Sequence, residues 1–442
     1  MRKIIYLFAL LVVTANGLIG QPTKSKNNSF GNDIDDYARL VHLPAMAIGI
    51  AKGDSLIFFK TIGVANPKTS APITKDHIFP IASLTKSFTA VALKQLEGEG
   101  KLTLNDPIDK FPNQYFTKER WDSKTTLAHI ISQTAESDPL GTCFIYNGGR
   151  YNIAFNAFAS INTSIDKDDI TKPFTDEIQK RILSPLNMDH TLLKYSDSIN
   201  GNLKPWLMTM YKLNDSTGQF TPVIENLNKM QAGPGFGMRS SMADLVKYAN
   251  ALGKNKLISQ SQYQKITSPF YPGSPYGMGW FTTNFEGNEM HWAYGYGDID
   301  AALILRVPSK DLTLIMLSAC SLPSASTRFG YGNPLNSILV CSFVRNYLWQ
   351  LSKVQSRIFI EEQFAEALTL NFLPKPFKAG KNKTISILKS LMKKYPTDTI
   401  WQTPSAFELI SEIDDKKIQQ FGLKMADQYL QSGELHPAKS WF

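Results

Sequence analysis

Apolar and polar positions along the chain switch period three times. Ala45 to Ala51 and Ser55 to Gly63 are two apolar runs rich in strand-forming residues, separated by the turn-forming Lys52-Gly53-Asp54, and together they predict a hairpin. From Ser83 to about Ile266 the pattern is mainly helical, with Leu84, Phe88, Val91 and Ala92 recurring at helical spacing. Strand character returns near residue 276, and Leu303–Val307 and Leu312–Leu317 flank Pro308-Ser309-Lys310-Asp311 as a second hairpin. Beyond about Phe343 the pattern is helical again, with candidate helices at Ile358–Phe372, Thr384–Lys394 and Ser405–Leu430.

Strands at both ends of a helical middle predict an α+β fold. One antiparallel sheet is flanked by helices, a mainly helical lobe sits beside it, and a C-terminal helical appendage follows. A cleft between the two lobes is where a ligand site is expected. The expected divisions are residues 1–20, 21–35, 36–345 and 346–442. The polar stretch 21–35, rich in Lys, Asn and Ser, reads as a flexible lead-in. The last division reads as a helical appendage packed on the main domain, and as a candidate surface for contacting a protein.

Composition narrows the class. A chain of 442 residues with 43% hydrophobic and 19% charged residues is long enough for a large core and has ordinary globular composition. The formal net charge is +9, but Lys and Arg are spread along the chain, so a solvated basic surface is expected and no nucleic-acid partner. Arg2 and Lys3, the apolar run Ile4–Val13 and small residues before Gln21 have the form of an export signal. That run is too short for a stable membrane anchor. A periplasmic or secreted location follows, in which Cys143, Cys320 and Cys341 allow one disulfide and one free thiol, without saying which. The six histidines show no metal-binding spacing, no G-x-S-x-G elbow occurs, and no Gly-rich phosphate loop follows a strand, so neither metal nor cofactor is expected.

The chemistry concentrates at Ser83-Leu84-Thr85-Lys86. A serine and a lysine three apart share one side of a helix. In a cleft, a neutral lysine takes the serine proton and turns a weak nucleophile into a strong one. The N–H groups at the helix start favour a developing oxyanion. S-x-x-K alone is common by chance, and a surface helix is its ordinary meaning.

The context is more specific. Phe79–Ala90, around that motif, resembles the nucleophile segment of the serine β-lactamase superfamily, which includes class C β-lactamases, D-Ala-D-Ala peptidases and related esterases. Pro139–Tyr146 is similar to the loop presenting that family's catalytic tyrosine, and Trp292–Tyr296 to the strand closing its cleft. Pro185–Met188, Ala232-Gly233, Arg239–Leu245 and Tyr276–Trp280 resemble further family segments in the family's order, over roughly residues 40–320.

The resemblance implies Ser83 as nucleophile, Lys86 and Tyr146 as proton carriers, and the backbone N–H groups of Ser83 and Tyr296 as oxyanion donors. It implies substrate contacts at Ala293, Tyr294, Gly295 and Asn147. Two positions depart from the family. The tyrosine motif has Gly148 where an asparagine is usual, with Asn147 as a candidate substitute. Ala293 stands where a Lys or His normally binds a substrate carboxylate and favours ionised tyrosine. His291, two residues earlier on the same strand face and about 7 Å along it, and Arg150 are candidate replacements for that charge. The expected function is an exported serine hydrolase forming an acyl-enzyme on an ester or amide, with a small acyl compound or peptide as substrate. It is esterase- or peptidase-like rather than an efficient β-lactamase. The alternative is a non-catalytic binding or sensing protein on a penicillin-binding fold.

Overall fold

The computed structural model describes residues 26–111, 122–161, 171–227, 230–348, 352–374 and 381–431. The export signal expected at 1–20 and the first part of the expected lead-in lie outside the described residues.

Where the polar lead-in was expected, residues Lys26–Leu40 form helix α1. Its composition is polar, but Phe30, Ile34 and Tyr37 fall three to four apart and are buried. That stripe suffices to anchor a helix whose other face is solvated. Strands β1 (Met46–Lys52) and β2 (Ser55–Ile62) follow as the first hairpin. Helix α2 (Thr85–Gly98) is buried along most of its length, with Phe88 stacked on Tyr248 at 3.9 Å. After the second lobe come helix α3 (Met242–Gly253), β3 (Phe281–Phe285), β4 (Asn288–Tyr296), β5 (Ala301–Val307) and β6 (Leu312–Ser318).

The six strands make one antiparallel sheet in the order β2-β1-β6-β5-β4-β3, so the two ends of the chain meet at β1 against β6. β1, β5 and β6 are buried almost throughout, because helices cover both faces of the sheet. Phe30 of α1 meets Phe58 of β2 on one face. On the other face Gly49 of β1 leaves room for Met242 of α3; a Cβ at 49 would sit 2.9 Å from its sulfur. The middle of the chain is less purely helical than its periodicity predicts, since short strand pairs such as Ile78–Pro80 with Arg239–Ser241 stitch the second lobe to the sheet domain.

Helix α4 (Ile338–Tyr347) packs against α1, and α5 (Ser352–Phe372) against α4. The tail continues with α6 (Lys381–Lys394), α7 (Pro404–Ser411) and α8 (Lys416–Gln431). The single helix expected over Ser405–Leu430 is thus two, because Asp415 turns its carboxylate onto the N–H groups of Lys417 and Ile418 and starts a new helix. The tail has its own apolar core around Phe364, Leu388, Trp401 and Leu409, tied to the main domain by Arg328–Glu408 and by Asn336 donating to Ser405. All three cysteines are free thiols, with Cys320 and Cys341 buried. No helix among the described residues is long and apolar enough to cross a membrane.

Candidate active site

Ser83 lies in a single 3-10 turn, Ala82–Leu84, that feeds directly into α2. Ala82 is held in the left-handed region at φ 40°, a conformation that a non-glycine residue keeps only when its surroundings fix it. Here they do: Ile81 N–H donates to the Met238 carbonyl (3.0 Å), and the Thr85 hydroxyl donates to the Ala82 carbonyl (2.7 Å). β4 presses on the same turn from the sheet. A Cβ at Gly295 would lie 2.1 Å from the Ile81 carbonyl oxygen, so only glycine fits there.

One turn further on, Lys86 is 1% exposed. Its Nζ is 2.8 Å from Ser83 Oγ and donates to the Gly235 carbonyl, also at 2.8 Å. The rings of Tyr146 and Tyr151 lie 5.1 and 5.3 Å from it. Burial pushes Lys86 down to about 7 from an ordinary 10.5, because no carboxylate compensates the lost hydration. A neutral amine in hydrogen-bond contact with a serine hydroxyl can take its proton.

Tyr146 comes from the irregular loop before residue 150 and faces Ser83 from the other lobe. Half-buried at the cleft wall, its phenol is pushed up to about 12 by desolvation; hydrogen bonds with Ser83 and Tyr294 only partly offset this. Near neutral pH it is therefore a phenol and not a phenolate. In this arrangement Tyr146 can relay a proton, while Lys86 is the base.

Gly148, in place of the usual asparagine, lies beside the lysine: a Cβ there would be 3.8 Å from Nζ. The missing acceptor is a main-chain group, the Gly235 carbonyl. The loop carrying it is fastened by Asn152, whose Oδ1 accepts from Gly235 N–H (2.7 Å), and by the Thr89 hydroxyl donating to the Pro234 carbonyl (2.7 Å). Sequence reasoning missed this loop. Its signal is the glycine density of Gly233-Pro234-Gly235-Phe236-Gly237.

Asn147 is not the substitute. Its side chain turns away to donate to Glu136 (2.7 Å) and to accept from Arg150 N–H (2.9 Å). Arg150 Nε lies 2.9 Å from Glu136, so its charge is engaged there. His291 is buried with Nδ1 3.0 Å from the Tyr263 hydroxyl and Nε2 3.2 Å from Glu289, and it does not border the cleft.

The cleft is a cavity of about 700 Å³ bordered by Ser83, Tyr146, Gly148 and Tyr296. The expected contacts at Ala293, Tyr294, Gly295 and Asn147 do not line it. Ala293 is buried, Gly295 is covered by the Ser83 turn, and Tyr294 packs its ring on Tyr146 at 5.9 Å. The structure therefore groups Ser83, Lys86 and Tyr146, keeps the Tyr296 backbone at the rim, and gives the far wall instead to Glu225, Arg239, Phe236 and Asp300.

Known proteins resemble this arrangement. A family model described as Beta-lactamase matches residues 34–331. Protein flp of Staphylococcus aureus is 27% identical over 311 residues, 63% of this chain and 60% of its own length. An unguisins hydrolase of Aspergillus campestris is 25% identical, over 66% of this chain and 62% of its own. The chain thus spans about 60% of the length of such curated relatives. The octameric penicillin-binding protein homologue from Pyrococcus abyssi has the same fold, with a TM-score of 0.59 at 20% identity over 75% of this chain and 80% of that one.

Proposed function

The chain belongs to the beta-lactamase family, and from that premise we propose that it is a serine hydrolase working through an acyl-enzyme on ester or amide substrates. Ser83 attacks the carbonyl carbon while Lys86, neutral in the free enzyme, takes the hydroxyl proton. The negative oxygen that forms is met by the N–H groups of Ser83 and Tyr296. Tyr146, as a phenol in contact with Ser83, gives its proton to the departing alcohol or amine and recovers the one held by Lys86. Water then attacks the acyl-enzyme, neutral Lys86 takes the water's proton, and that proton returns to Ser83 as it leaves. The observation that carries this reading is the buried Lys86 amine, 2.8 Å from Ser83 Oγ and with a proton affinity lowered to near neutrality.

Ala293 supplies no cation for a substrate carboxylate, so small acyl esters and amides are favoured over β-lactams. The form of residues 1–20 supports export to a periplasmic or extracellular space, which a mature N-terminus at Gln21 in secreted protein tests. Hydrolysis of p-nitrophenyl acyl esters tests the chemistry. Turnover by the wild type that falls by at least about a thousandfold in Ser83→Ala supports it. Equal turnover by the two sinks it, and would favour a binding or sensing protein, to which the losses at Ala293 and Gly148 also point.

A further inference from the structure

The charges on the far wall of the cleft do not cancel. Among the described residues three charged ones line it: Glu225, Arg239 and Asp300. Arg239 is committed to Glu225 by a two-point contact, Nη1 to Oε2 at 3.2 Å and Nη2 to Oε1. Such a fork uses the guanidinium's geometry on one carboxylate. Asp300 is left over. It is 6% exposed, and its Oδ2 is buried with no hydrogen-bond partner. Its other oxygen lies against Gly297, where a Cβ would be only 2.4 Å away. Glu225 and Asp298 repel further negative charge at this place, and Arg239 opposes them. A buried carboxylate without a donor is costly, and a cation entering the cleft beside it offsets that cost. At the same time Ala293 removes the cation that would receive a carboxylate.

We infer that the Asp300 carboxylate is a subsite for a positively charged group, so that this cleft takes acyl substrates bearing an ammonium in place of the carboxylate-bearing ones. The inference rests on the acyl-transfer reading above and names the substrate class for it. Among the described residues the wall has one surplus negative charge, which attracts an alkylammonium and repels a carboxylate. Burial raises Asp300 to about 6, which leaves it ionised at neutral pH, and a cation in the cleft that Asp300 borders offsets the cost of keeping that charge without a hydrogen-bond donor. No cofactor or bond change is involved: the subsite orients a substrate whose acyl group passes to Ser83.

The test uses a matched pair, p-nitrophenyl 6-aminohexanoate and p-nitrophenyl heptanoate, which differ by an ammonium in place of a methyl group. The wild type is expected to favour the ammonium ester in kcat/KM by about tenfold or more, as for one charge-assisted hydrogen bond in a buried site. In Asp300→Asn the ratio should collapse towards one. A wild type that prefers heptanoate, or a ratio unmoved in Asp300→Asn, overturns the subsite; the first outcome needs no variant to fold. Calorimetric titration of Ser83→Ala with hexylammonium and with 1-hexanol separates the two readings. Hydrolysis of heptanoate without ammonium preference leaves the hydrolase standing and removes the subsite. Hexylammonium binding that Asp300→Asn weakens about tenfold, with no turnover of either ester, leaves the subsite and removes the hydrolase.

Discussion

The near side of the cleft, around Ser83, and its far side, along β4 and the Glu225–Arg239 wall, have fared differently. The near side keeps the nucleophile and its base in register even though Gly148 replaces an asparagine: the strained Ala82, the Ser83–Lys86 contact, and Gly295 pressed on Ile81. The far side keeps the backbone of β4 but not the cation, and presents surplus carboxylate instead. The difference teaches that bond-breaking machinery and substrate reading are separable in this fold. The first depends on a sub-ångström fit between main-chain segments, which one side-chain change cannot repair. The second depends on single side chains displayed in a cavity, which can change without disturbing the rest.

The sharpest way to break the comparison is at Lys86. Lys86→Met should lower kcat about a thousandfold, as loss of a positioned base does, measured with acyl esters. It should also stabilise the protein. The native amine is pushed down to about 7 while the unfolded one stays near 10.5. Between those values the unfolded state binds the extra proton, so the lysine's cost is greatest below pH 7 and fades as pH rises towards 10.5. Unfolding midpoints of the variant should accordingly exceed the wild type most at pH 6 and least at pH 10. For the intact enzyme, the free amine is the active form, so kcat/KM should climb through pH 7 and level above it.

Gly295→Ala comes next. Its Cβ would collide with the Ile81 carbonyl, pushing β4 off the nucleophile turn, and a misplacement of about 1 Å costs about a hundredfold in rate. Circular dichroism should show a folded protein, and ester hydrolysis should show the loss. Asn152→Ala should have a smaller effect, about tenfold in kcat, by releasing the Gly235 loop from Lys86; a lower unfolding midpoint should accompany it. The smallest change expected is on the far side. Because position 293 is buried and does not border the cavity, Ala293→Ser should leave the kcat/KM ratio between a carboxylate-bearing ester and its neutral analogue within about twofold of the wild type.

Much of this contrast was legible before any coordinates. The two hairpins follow from periodicity, because strand alternation is a local signal, whereas the meeting of Ser83, Lys86 and Tyr146 across the cleft was implied by the family resemblance of their segments. The Gly235 carbonyl was not legible. A main-chain oxygen 149 residues from Lys86 has no side chain to mark it, and only the run of glycines hints at a tight loop. Helix α1 was hidden for another reason: average polarity outvoted the buried stripe of Phe30, Ile34 and Tyr37. Asp300 was invisible because its meaning lies in having no partner, and partners are set by tertiary contacts. The far-wall contacts expected at Ala293, Tyr294 and Gly295 failed because β4 turns those positions into the protein, against Ile81 and Tyr146.

The central claim is that Ser83 is a nucleophile made reactive by a neutral, buried Lys86. A fluorophosphonate probe followed by intact-mass and peptide mass spectrometry between pH 5 and 9 examines it without any knowledge of the natural substrate. The account predicts one adduct, on Ser83, formed at a rate that rises through about pH 7 as Lys86 loses its proton. No adduct, an adduct on another residue, or a labelling rate flat across that range would contradict it.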